Sequence, residues 1–118
     1  MDIVIDADSA VPPYEQVRMR IAELAAVGQL AAGTRLPPVR LLATELGLAA
    51  NTVARAYREL EQAGLVETRG RAGTLVTARA ARTPAAAQQA AQRYAEQATA
   101  LGLTRQAALD LVRAALRL

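Results

Sequence analysis

The sequence predicts a mainly α-helical fold that carries one small β-hairpin and continues into two further helices. Three observations predict it. Apolar residues recur every three and four positions along most of the 118-residue chain, with glycine or proline at the breaks. After Gly64 the period changes to two short β-branched runs around a glycine-bearing turn. Beyond residue 83 a proline-led, alanine-rich stretch resumes the helical period.

Taken in order, Asp2-Ile-Val-Ile-Asp6 has the composition of one short strand, and Ser9 to Pro13 that of a turn-rich lead-in. Pro13 suits the first turn of a helix from about Tyr14 to Val27, whose apolar stripe is Tyr14, Val17, Ile21, Leu24 and Ala25. Gly28 ends it, and Gly33 lies in the turn that follows. Leu36-Pro37-Pro38 opens a short second helix with Val39, Leu42, Ala43 and Leu46 inward, stopped by Gly47. A third helix is expected from Ala50 to about Ala63, with Val53, Ala56, Tyr57 and Leu60 buried. Its opposite face carries Asn51, Arg55 and Arg58, aligned in one row by spacings of four and three. Strands at 65–68 and 74–77 then flank the tip Arg69-Gly70-Arg71-Ala72-Gly73, a hairpin loaded with two arginines.

Residues 78–83 read as a basic hinge, with Thr83 as N-cap and Pro84 as first residue of a long helix. That helix runs to about Leu101, with Ala87, Ala91, Tyr94, Ala98 and Leu101 recurring every four and three residues. Gly102 closes it, Thr104 caps a last helix, and Leu109, Val112 and Leu116 form the last helix's stripe. Two amphipathic helices of this length exceed what so small a domain can cover. These eight residues are therefore expected at a homodimer interface.

Composition narrows the function classes. With 53% hydrophobic residues the chain can bury a core. Without cysteine it has no disulfide or thiolate metal site, and without histidine it lacks the commonest general base and metal ligand. It also has no phosphate-cradling glycine loop, so no catalytic constellation can be assembled, and neither a cofactor nor a metal is expected. All 14 basic residues are arginine. Residues 1–34 carry a net charge of −3 and residues 35–79 a net charge of +3, which points to a polyanion partner for the middle of the chain. The acidic start lacks the apolar core of a signal peptide, and arginines and glutamines interrupt every long apolar stretch. A cytoplasmic protein with no membrane partner is expected.

Helix, short helix, tight turn, helix and hairpin in that order is the layout of a winged helix-turn-helix, expected over residues 1–79, with residues 83–118 as a two-helix dimerisation segment. In such a motif the second helix of the pair enters the major groove of double-stranded DNA. Its outward face then needs hydrogen-bonding side chains for base edges, with cations nearby for phosphates. Asn51, Thr52, Arg55 and Arg58 meet the first need; Arg40, Arg69 and Arg71 meet the second.

The chain also resembles the GntR regulators, and within them the YtrA-like subgroup. The motifs are Pro13-Tyr-Glu-Gln-Val17, Gly33-Thr-Arg-Leu-Pro-Pro-Val-Arg40, Leu46-Gly-Leu48, Asn51-Thr-Val53, Gly64-Leu-Val66 and Gly73-Thr-Leu-Val76. The resemblance covers residues 12–77. It implies DNA contact by Arg40, Asn51, Thr52 and the wing-tip Gly73, with Arg55 one turn further along. The short tail implies the subgroup, whose members are repressors that dimerise through two such helices. Ala49 and Ala50 stand where many members have a hydroxyl residue followed by arginine, and Pro38 stands where serine is common. Readout is therefore expected to lean on Arg55, Arg58 and the wing.

Plainer readings stand beside these. Arg55 and Arg58 would be a solvated face paired with Glu59 or Glu61; Arg40 would pair with Glu45 or Glu15; Asn51 and Thr52 would serve only as local caps. Arg69 and Arg71 would merely solubilise a hairpin. Tyr57 belongs to the core in either case; Tyr94 is expected at the dimer interface, with the lining of a small cavity as its alternative. The runner-up function is a winged-helix module for protein interaction or RNA binding. The arginine-bearing face argues against pure protein docking, and the scarcity of aromatics argues against single-stranded RNA. No residue cluster designates a small-molecule effector.

Overall fold

Proline and glycine punctuate the helices in the structure, a computed structural model that describes residues 1–118. Helix α1 (Pro13–Ala26) starts with a proline in its first turn, where the missing N–H removes no intrahelical bond. Helix α2 (Val39–Leu46) follows Pro38 and stops at Gly47, whose φ of 67° is the left-handed C-cap conformation. Helix α3 (Ala50–Gln62) begins after Ala49 without any side-chain cap. Strands β1 (Val66–Thr68) and β2 (Thr74–Val76) pair antiparallel in the register Val66 with Val76, Glu67 with Leu75 and Thr68 with Thr74. Three helices follow: α4 (Ala78–Arg82), α5 (Ala85–Ala100) and α6 (Arg105–Leu116). No helix is long and apolar enough to cross a membrane.

The core is one cluster running from Ile3 to Ala80. Val17 and Ile21 of α1, Leu42 of α2, and Val53 and Leu60 of α3 are its most completely buried large side chains. Burial of each such side chain contributes about 1.5–3 kcal/mol. Val66 and Val76, opposite one another on the hairpin, close the cluster from the wing side.

A feature absent from the sequence reading ties the wing to the helices. Residues 33–36 lie along the outer edge of β2. Gly33 N–H donates to Val76 O at 2.8 Å, Val76 N–H to Thr34 O at 2.9 Å, and Leu36 N–H to Thr74 O at 2.8 Å. The edge strand is thus covered, and the segment entering α2 is held in register with the wing.

Three expected local features take other forms. Residues 2–6 are not a strand, because the only sheet is the two-stranded hairpin and offers them no partner. The Gln16 side chain straps this segment down instead. It accepts from Asp6 N–H at 2.8 Å and donates to Asp6 O and Val11 O at 2.9 and 2.8 Å. The expected hinge at 78–83 is helical over α4. Its Ala-Arg-Ala-Ala-Arg sequence favours helix, and Thr77 Oγ1 caps it by accepting from Ala80 N–H at 3.3 Å. Thr83 does not cap α5; its hydroxyl donates back to Arg79 O at 3.1 Å, and α5 starts after Pro84 with no side-chain cap.

Helix α5 folds back onto α1. Gln92 Nε2 on α5 donates to Met19 O on α1 at 2.8 Å. Thr104 caps α6 as expected, accepting from Ala107 N–H at 3.1 Å. The Tyr94 hydroxyl on α5 donates to Ala108 O on α6 at 2.8 Å, which holds the two tail helices together.

Candidate nucleic-acid interface

Helices α2 and α3, joined by the turn at Gly47–Ala49, form the helix-turn-helix. The Tyr57 hydroxyl anchors α3 to the approach of α2 by donating to Pro37 O at 2.6 Å. Burial, reinforced by Glu45, pushes the Tyr57 phenol well above its usual pKa, so the hydroxyl stays a donor. Arg40 is exposed on α2 and forms no ion pair; neither Glu45 nor Glu15 engages it. In the first turn of α3, Asn51 is exposed and Thr52 half-buried, and neither side chain serves as a cap. Arg58 is exposed and carries no carboxylate partner.

The wing tip contains one 3₁₀ turn, Gly70–Ala72, closed by Arg69 N–H donating to Gly73 O at 2.9 Å. Arg69 pairs with Glu67 at 2.9 Å, whereas Arg71 is exposed and unpaired. Gly73 adopts φ 81° and ψ −153°, a region essentially restricted to glycine. The Arg35 guanidinium lies over it: a Cβ built on Gly73 would fall 2.9 Å from Arg35 Nε. Arg35 lies outside the residues that the sequence designates for the interface. It sits inside the Gly33–Arg40 motif, but its pairing across β2 is what brings it to the wing, through an isolated bridge to Leu75.

Arg55 does not stand free beside Asn51. Its guanidinium stacks on the Tyr14 ring at 3.7 Å from the centroid, and its Nε donates to Glu59 Oε2 at 3.2 Å. This is the ion pair with Glu59 that the plainer reading anticipates. Glu59 is a hub, because it also meets Arg105 of α6 at 2.7 Å and stands 3.9 Å from Arg18. Burial of Arg105 works against its charge, but Glu59, with Glu15 beside it at 3.2 Å, raises its pKa overall. Tyr14 is shifted upward by burial and by the adjacent Glu15.

Residues 13–76 match the model of the bacterial regulatory proteins, gntR family. The chain belongs to the GntR family. Among its relatives, the HTH-type transcriptional regulator Rv1152 of Mycobacterium tuberculosis is 50% identical over 105 residues, which are 89% of this chain and 86% of that protein. The HTH-type transcriptional repressor YtrA of Bacillus subtilis is 45% identical over 82 residues, or 69% of this chain and 62% of that protein. Among solved structures, YtrA from Sulfolobus acidocaldarius, a GntR-family transcription factor, aligns with a TM-score of 0.62 at 31% identity, covering 81% of this chain and 97% of that one. The N-terminal domain of AraR in complex with mutant ORR3 aligns at 0.54 with 25% identity, over 57% of this chain and 96% of that one. This GntR protein is a DNA-binding transcriptional regulator, and its family and relatives are regulators rather than enzymes.

In this regulator the tail residues divide. Leu101, Leu109 and Leu116 are 78%, 54% and 64% exposed, and Ala87 and Ala91 are exposed as well. Val112 and Tyr94 are half-buried. Ala98, by contrast, is buried within its own chain, where α5 packs against α1. It has no surface left for a partner. Leu111 and Leu118, outside the expected stripe, are also exposed leucines of the tail.

Proposed function

We propose that this regulator binds a palindromic operator as a homodimer and represses transcription. Residues 1–79 would form the DNA-binding part and residues 83–118 the dimerisation segment. Helix α3 enters the major groove, with Asn51, Thr52 and Arg58 toward base edges and Arg40 toward phosphate. The wing, through Arg69, Arg71 and Gly73 and steadied by Arg35, meets adjacent backbone or the minor groove. Arg55 joins these contacts only by leaving Tyr14 and Glu59.

The observation that carries this reading is that Arg40, Arg58 and Arg71 have no intramolecular ion pair and Asn51 caps nothing. Cations and amides left without partners on α2, α3 and the wing suit phosphate oxygens and base edges. The AraR complex supports double-stranded DNA as the partner, and the repressor named among the relatives supports repression. The exposed leucines of the tail support a partner copy. Such a regulator works in the cytoplasm.

Selection of sites from random double-stranded DNA, with the full chain at two salt concentrations, tests the reading. A short palindrome is expected, with affinity falling steeply as salt rises because each phosphate contact releases counterions. Enrichment of an undivided single site would reject the dimer, and no enrichment would reject sequence-specific readout. Leu109→Glu with Leu116→Glu tests the interface without uncovering α1, which deletion of the tail would do. Sedimentation of that double variant as a dimer would reject the tail as the dimerisation segment.

A further inference from the structure

Helices α1 and α3 on one side and α5 and α6 on the other enclose an open cleft of about 640 Å³. That volume lies within the range of small-molecule sites, about 300–1,000 Å³. Its two walls differ in character. One presents the arginines Arg18, Arg55 and Arg58, joined at the rim by Arg105; the other is apolar, with Ala95, Leu103 and Val112 among its residues. Only two carboxylates, Glu15 and Glu59, line the cleft, and both are already engaged. Glu59 meets Arg55 at 3.2 Å and Arg105 at 2.7 Å, and Glu15 meets Arg105 at 3.2 Å.

Positive charge therefore remains in excess, and two donors are left over. Arg58 has no carboxylate partner. Arg18 Nε is buried without any hydrogen-bond partner, since Glu59 Oε1 at 3.9 Å is beyond reach. A buried donor of this kind costs stability unless something accepts from it. An apolar wall facing surplus arginines matches a ligand with an apolar body and one anionic end.

We propose that this cleft binds a small organic carboxylate, whose oxygens are met by Arg58 and, as its side chain turns to bring the covered Nε outward, by Arg18, and whose apolar part lies against α5 and α6. Arginine suits this role because its planar fork meets a carboxylate with two parallel hydrogen bonds. Because Arg58 belongs to α3, occupation of the cleft draws that side chain toward the tail and lowers affinity for DNA. This consequence rests on the proposal that α3 reads the operator; the site itself does not.

The test needs no DNA, so the site and the DNA-reading proposal can fail separately. Naphthalene-2-carboxylate is titrated into the full chain by calorimetry, alongside 2-naphthalenemethanol and acetate. Saturable binding of one carboxylate per chain is expected. The neutral alcohol, which lacks the charge, and acetate, which lacks the body, are each expected to bind about tenfold more weakly or worse. Arg58→Gln should weaken the carboxylate by about fivefold or more while thermal denaturation stays unchanged, because Arg58 is exposed and pairs with nothing in the chain. Equal binding of the alcohol, undiminished binding by the Arg58 variant, or no saturable heat at millimolar ligand would each overturn the proposal.

Discussion

Replacing Gly73 by alanine tests whether the wing tip is held by backbone strain that only glycine relieves. Two costs arise at this residue. The backbone sits at φ 81° and ψ −153°, where a side chain costs about 1–3 kcal/mol, toward the upper end because the region is essentially glycine-only. A new Cβ would also fall 2.9 Å from Arg35 Nε and 3.4 Å from Arg35 Cζ. Those atoms belong to the far end of a flexible side chain, so Arg35 swings aside and the steric cost is the smaller one. The expected loss is about 2–3 kcal/mol, measured by urea denaturation followed by far-ultraviolet circular dichroism. Gly70→Ala is the internal comparison. Its φ is 46°, inside the left-handed region, and nothing crowds its Cβ position, so about 1–2 kcal/mol is expected. The combination of Gly73→Ala with Arg35→Ala separates the two costs, and a coupling below about 0.5 kcal/mol is expected if strain dominates. A Gly73→Ala variant no less stable than Gly70→Ala would refute the reasoning, as would a large coupling to Arg35.

Three further outcomes follow from single hydrogen-bonding groups. Tyr57→Phe leaves Pro37 O without its donor and should cost about 1–2 kcal/mol. It should also flatten the alkaline stability profile. The native phenol titrates above its ordinary value of 10.0, so its contribution is complete below that pH. It fades as pH rises further, since the unfolded chain releases the proton first; Tyr14, also shifted upward, leaves a smaller slope behind. Thr77→Val removes the cap of α4 and the 2.8 Å bond from its hydroxyl to Gly64 O, for an expected loss of about 1–2 kcal/mol by denaturant melting. Gln16→Met removes the three hydrogen bonds that tie Asp6 and Val11 to α1, and amide exchange at Asp6 should accelerate while the core amides of α3 hold their protection. Unchanged exchange at Asp6 would mean that burial of Ile3 and Val11 holds the segment without Gln16.

The features read correctly from sequence are those decided within one turn or one pleat. Pro13, Gly47 and Thr104 act through their own backbone neighbours, and Val53, Ala56, Tyr57 and Leu60 share a face by helical period alone. Misread features depend on a distant partner. Residues 2–6 have strand composition but no strand to join, whereas residues 33–36 have no strand pattern and yet pair with β2. Arg55 joins both lessons. At about 100° per residue, Arg58 and Asn51 lie within about 20° of each other around α3, while Arg55 lies about 40° beyond Asn51 on the edge that leads to Glu59. A row at spacings of four and three is thus a stripe with two edges, and exposure on the stripe says nothing of what borders each edge. Here the edge meets Tyr14 of α1 and, 50 residues further along the chain from Arg55, Arg105 of α6. By sequence Tyr14 is only one apolar residue in the stripe of its helix. Its ring is the seat on which the Arg55 guanidinium stacks, and the carboxylate that holds Arg55 there is the same one that docks the tail. The outward row of α3 and the attachment of the tail are therefore one electrostatic arrangement, which no segment of the sequence contains by itself.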